Sequence, residues 1–168
     1  MSEKFETSKS SGVHFQLSRL AGEWEGIAKT WFEPDNPGDE SPVRGSMKPI
    51  MDGRFILHEY KGSLGGQPLE GIAIFGYNLA SGKIQSAWID SFHNGTAIMF
   101  SEGKRGEDEL KMLGSYEYIT AELEQKWGWR TEIEIIDNAQ VKLTAYNISP
   151  EGEEAKATEV LYTRVKTA

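Results

Sequence analysis

The chain has 168 residues, with 26 Asp and Glu against 18 Lys and Arg, a net charge of −8 and no cysteine. That length suits one domain with a real core. The missing cysteines exclude disulfides, thiolate metal sites and cysteine nucleophiles, and the acidic balance argues against nucleic acid or an anionic membrane surface as a partner. No apolar run approaches the ~20 residues of a membrane helix. Residues 1–12 are polar, without the apolar stretch of a secretory signal, and read as a disordered tail. The expected location is therefore cytoplasmic.

Residues 13–168 read as a single β-barrel domain. Val13, Leu17 and Leu20 fall at helical spacing, so a short helix over 13–20 is expected to close one barrel end. Strand signals dominate from there on. Short β-branched and aromatic stretches are punctuated by Asp52-Gly53, Gly65-Gly66, Ser81-Gly82, Asn94-Gly95, Asp137-Asn138 and similar pairs, which tolerate the backbone of tight turns. About ten strands follow: 22–32, 42–51, 54–64, 67–78, 83–92, 95–104, 109–119, 129–136, 140–149 and 154–166. Residues 34–41 read as an exposed loop, and 121–126 as a loop between strands. Such a meander leaves two open edges unless it curls shut, so an antiparallel up-and-down barrel is the predicted fold.

Alternation predicts which side chains face inward. On the eighth strand Thr131, Ile133 and Ile135 oppose Arg130, Glu132 and Glu134. On the ninth, Val141, Leu143 and Ala145 form the inner set. On the last strand Ala157, Glu159, Leu161, Thr163 and Val165 form the more apolar face, which turns Glu159 inward. Strands three to five are apolar on both faces. That suggests something packing outside them, such as the second subunit of a homodimer.

The start of the first strand, Gly22-Glu23-Trp24-Glu25-Gly26, and the end of the last, Tyr162-Thr163-Arg164, resemble the Gly-x-Trp and near-terminal Arg of lipocalins and fatty-acid-binding proteins. More specifically, the chain resembles a bacterial family of unassigned function with a calycin-like barrel. The match is carried by residues 20–26, Asp52-Gly53-Arg54-Phe55, Gly71 through Gly76-Tyr77-Asn78, Trp88-Ile89-Asp90-Ser91, and Glu159 through Arg164. The resemblance implies that Trp24 fills the barrel base with Arg164 packed over it. It brings no activity. Similar barrels that bind haem use a histidine late in the chain, whereas here the histidines are His14, His58 and His93. Fatty-acid-binding proteins use Arg-x-Tyr on the last strand, and this chain has the reverse order.

A candidate ligand site gathers His58 and Tyr60 on strand three, Trp88, Asp90 and Phe92 on strand five, and Glu159. Inward, these residues would make a mostly apolar cavity with a few polar groups, suited to a small hydrophobic or aromatic ligand. In an enzyme, Asp90 or Glu159 would act as a base with His58 as helper. Alternatively, both acids simply pair with backbone, Arg54 or Arg130. Trp127-Gly128-Trp129 reads as a lip of the barrel mouth or a dimer contact. No cofactor and no metal site are read from the sequence, since the histidines lack His-x-His or His-x-x-x-His spacing.

Overall fold

A computed structural model describes residues 2–167, so Met1 and Ala168, at the outer ends of the expected tail and barrel domain, lie outside the described residues. Ten strands follow two short helices: α1 (Glu3–Ser11), α2 (Val13–Ser18), β1 (Gly22–Thr30), β2 (Asp39–Ile50), β3 (Phe55–Leu64), β4 (Gln67–Asn78), β5 (Lys83–Asp90), β6 (Met99–Glu102), β7 (Lys111–Ile119), β8 (Glu124–Ile135), β9 (Gln140–Ile148) and β10 (Glu154–Arg164). Consecutive strands pair antiparallel, and β1 pairs with β10, which closes the barrel. The closed antiparallel up-and-down barrel expected from the turn spacing is thus the observed one. Two loops are shorter than expected. β2 begins at Asp39, and β8 begins at Glu124, so Trp127, Gly128 and Trp129 lie within a strand.

The polar start is not a tail over its described length, because residues 3–11 form α1. Acidic Glu3 and Glu6 in its first turn and Lys9 in its last complement the helix dipole. Its one large apolar residue, Phe5, is buried, with its ring 4.9 Å from that of His14 and the Arg54 guanidinium 4.6 Å above it. Ser8 Oγ lies 2.8 Å from His14 Nδ1 and joins the two helices. A low-hydropathy segment folds here because one aromatic ring has a dock on the barrel.

α2 carries Val13 and Leu17 into the barrel end, and Leu20 follows in the turn; all three are buried. Removing each from water contributes about 1.5–3 kcal/mol. Beneath them lies Trp24, fully buried, whose Nε1–H donates to Leu20 O at 2.9 Å. The Arg164 guanidinium sits 4.2 Å over the Trp24 ring and donates to the carbonyls of Arg19 (2.9 Å), Ala21 and Asn138 (2.7 Å). Gly22 makes room for it. Its φ is +148°, and a Cβ there would come within 2.3 Å of Arg164 Nη1. The Gly-x-Trp spacing and the distant Arg are therefore one packing unit.

The two-sided apolarity of strands three to five resolves by register. Ile56, Ala73, Phe75 and Ile84 face the core, while Ile72, Ile74 and Ile89 lie on the outer wall, partly exposed.

On β10 the expected facing is reversed. The pairing with β9 skips Ala157, because Lys156 faces Tyr146 while Thr158 faces the next residue, Ala145. One extra residue moves every later side chain to the other face. Val160 and Tyr162 consequently pack in the core, and Leu161 and Thr163 are exposed.

Candidate functional site

β5 turns Ile84, Ser86, Trp88 and Asp90 inward, and β3 does the same with Ile56, His58 and Tyr60. In register, Tyr60 pairs with Gly71 of β4, which pairs with Asp90 of β5. With no side chain on the intervening Gly71, the Tyr60 ring lies flat across β4, and its hydroxyl donates to Asp90 Oδ2. Trp88 Nε1–H donates to Tyr60 Oη at 2.9 Å. Gly45 plays the same part on β2: a Cβ there would lie 2.7 Å from Tyr162 Oη and 3.0 Å from His58 Nε2, atoms that are themselves 3.2 Å apart.

Asp90 ends β5 and folds the loop behind it. Its Oδ1 accepts the backbone N–H groups of Phe92 and His93, both at 2.7 Å, and lies 3.0 Å from His93 Nδ1. This local capture, typical of Asp at turns, corrects the expected role of Phe92. The strand stops two residues early, Phe92 swings outside and is 52% exposed, and His93 takes the inward place. Sequence reading missed His93. The available signal was an Asp at a strand end followed three residues later by a histidine before Asn94-Gly95.

Trp129, expected at a lip of the barrel mouth or in a dimer contact, instead belongs to the interior wall of this site. It lies in the same alternating series as Thr131 and Ile133, two residues upstream of the set expected to face inward. Its ring is buried 5.4 Å from that of Trp88.

Glu159 is not at this site. The bulge at Ala157 points it outward, where its Oε2 accepts from Lys156 Nζ at 2.7 Å. The carboxylate pair expected from the sequence is therefore not brought together.

What forms is a cavity of about 120 Å³ in the barrel half away from the helices. Trp88, Trp129, His93, Tyr60 and His58 line it together with small polar residues such as Ser86 and Thr131. A larger surface hollow of about 990 Å³ runs along Arg44, Glu59, Lys61 and Glu70, but those side chains are solvent-exposed and partly ion-paired, as Lys61 is with Glu70 at 3.6 Å. The interior cavity is the one with convergent chemistry.

Burial there favours the neutral forms of His58, Tyr60 and Tyr162 around the charged Asp90. Burial pushes His58 down to about 4. Burial also raises the Tyr60 and Tyr162 hydroxyls well above their ordinary value, in Tyr60 with help from the adjacent Asp90. Burial alone would raise the Asp90 carboxyl, but hydrogen bonds from His93 and Tyr60 outweigh it and hold the group below the usual carboxylate range. Asp90 is thus a saturated anion. His93 is the opposite: its Nε2 is buried and has no hydrogen-bond partner among the described residues. Among those residues, no group of three or more His, Asp or Glu is placed to hold a metal ion.

Residues 9–164 match a family of proteins of unknown function, DUF1579. The chain belongs to this family. No curated protein matches it. Among solved structures, this DUF1579 barrel is similar to Rv2717c from M. tuberculosis, at 10% identity and a TM-score of 0.59, covering 92% of this chain and 98% of that one. It is also similar to the S-type phycobiliprotein lyase CPES from Guillardia theta, at 11% identity and a TM-score of 0.51, covering 97% and 98%. At these identities the likeness of the DUF1579 chain to both is one of fold.

Proposed function

We propose that this protein binds a small, partly apolar molecule inside the barrel, in the cavity between Trp88, Trp129, His93 and Tyr60. The observation that carries this reading is the combination of aromatic walls with a buried ring nitrogen, His93 Nε2, that has no hydrogen-bond partner among the described residues. Volume limits the ligand. Drug-sized ligands occupy roughly 300–1,000 Å³, whereas an apolar cavity of about 150 Å³ accepts benzene. At about 120 Å³ this one suits a single ring or a short branched chain, and a haem or a long acyl chain exceeds it. Native mass spectrometry of protein purified from its own cells should show a retained small molecule, and toluene should raise the Tm of stripped protein in a saturable way. A protein that carries nothing and does not respond to ring-sized probes would overturn this reading.

A second reading is self-association through the outer wall of β4 to β6. Ile72 pairs with Ile89, and Ala87 with Phe100, leaving a run of partly exposed apolar side chains there. Light scattering that reports a monomer at micromolar concentration would remove it.

A further inference from the structure

We propose that the molecule this cavity recognises is a single ring bearing an acidic O–H or N–H group, as in a phenol or an azole, and that His93 Nε2 accepts that hydrogen. This inference rests on the reading that the cavity holds a ligand, and it adds the ligand's chemical class.

The tautomer of His93 is set from behind. Asp90 Oδ1 lies 3.0 Å from Nδ1 and, as a carboxylate oxygen, has only lone pairs to offer. The hydrogen of a neutral ring therefore sits on Nδ1, and Nε2 carries an acceptor lone pair. The ring cannot turn away. The same oxygen holds the backbone N–H of His93, and the imidazole is packed among Phe92, Trp88 and Trp129, at centroid distances of 5.1, 5.6 and 5.7 Å. A buried acceptor left unpaired costs about 1–3 kcal/mol. Among the described residues, Ser81 Oγ, away from the cavity, is the one other buried polar side-chain atom without a partner.

The residues around Nε2 say what kind of donor fits. Trp88 Nε1–H is already donated to Tyr60, and the Tyr60 hydroxyl to Asp90, so neither can supply the missing hydrogen. The neighbouring surface is the aromatic pair Trp88 and Trp129, which favours a flat ring over a hydrated ion. The cavity volume limits that ring to one. No side chain of the described residues bonds Nε2, the hydroxyls of Ser86, Ser101 and Thr131 on the cavity wall included. A ligand is thus placed to supply the donor, and an acidic O–H or N–H makes the stronger bond to an imidazole backed by a carboxylate.

Phenol and toluene are nearly the same size and differ in the donor, so they are the probes. For the wild-type protein, titration calorimetry should give phenol an affinity about tenfold above that of toluene, the worth of one net hydrogen bond. In His93→Phe, which keeps a ring and removes the acceptor, toluene should still bind while the preference for phenol disappears. Ring ¹⁵N NMR of the wild-type protein gives a readout that does not depend on the variant folding: phenol should shift the His93 Nε2 resonance upfield, and toluene should leave it in place. Equal binding of both probes, or an Nε2 that carries a hydrogen in the free protein, overturns this inference while leaving the binding reading intact. If neither probe binds, the binding reading falls and this inference with it.

Discussion

Tyr60 and Asp90 are hydrogen-bonded although their strands are not neighbours; the bond passes across β4 over the bare backbone of Gly71. A Cβ at Gly71 would stand 2.2 Å from the Tyr60 ring and hydroxyl. Because that ring is fixed by Trp88 and Asp90 at its hydroxyl, it cannot move aside without breaking both bonds. Gly71→Ala should therefore destabilise the protein by about 2–3 kcal/mol, read as a lower midpoint in urea unfolding. In a Tyr60→Ala background the same substitution should cost far less. An equal cost in both backgrounds would mean that the clash is with something else.

Asp90 accepts from four donors: one at Oδ2, and three at Oδ1 counting His93 Nδ1. Asparagine can replace Oδ1 but turns an amide N–H₂ toward Tyr60. The Tyr60 oxygen then faces two donors, and its own hydrogen has no acceptor. Asp90→Asn should cost about 2 kcal/mol. Combined with Tyr60→Phe, the loss should fall short of the sum of the two single losses by about 1 kcal/mol, because both remove the same contact. Additive losses in a double-mutant cycle would refute this coupling.

His58 is buried among Tyr60, Phe75 and Tyr162, and the burial lowers it from its ordinary 6.5 to about 4. The unfolded chain therefore binds a proton between these values that the folded chain refuses. Stability is then fully present above pH 6.5, falls as pH drops through the window, and levels off below about 4. The fall from 6.5 to about 4 corresponds to about 3 kcal/mol. His14 is also lowered, chiefly by burial, and acts in the same direction. Urea unfolding across this range should show a pH slope that is smaller in His58→Phe than in wild type. An unchanged slope would assign the effect to other groups.

Arg164 joins the last strand to the end of α2 by stacking on Trp24 and donating to three carbonyls. Arg164→Ala should cost about 2–3 kcal/mol. Arg164→Lys should recover little of it, since an ammonium neither stacks in the same way nor reaches three acceptors with a planar fork. Recovery to within about 0.5 kcal/mol in the lysine variant would show that charge alone suffices, against the geometric account.

The sequence by itself determined the strand number, the turn positions, barrel closure and the inward facing of Thr131 and Ile133 on the eighth strand. Each depends on neighbours along the chain: Asp-Gly and Asn-Gly pairs set reversals, and a period of two sets facing. Tertiary structure decided what contacts between distant segments control. The bulge at Ala157 put Tyr162 inside and Glu159 outside, and the flanking Val160 and Leu161 are too alike to reveal the slip by alternation. Phe5 folds α1 because Arg54 and His14 wait on other elements. Gly71 and Gly45 look like ordinary strand glycines until the register lays Tyr60 and Tyr162 across them. His93 replaced Phe92 at the cavity because Asp90 captures the chain just beyond β5. The side chains that give the interior its chemistry are placed by strands that meet only when the barrel closes, and a one-dimensional pattern carries no record of that meeting.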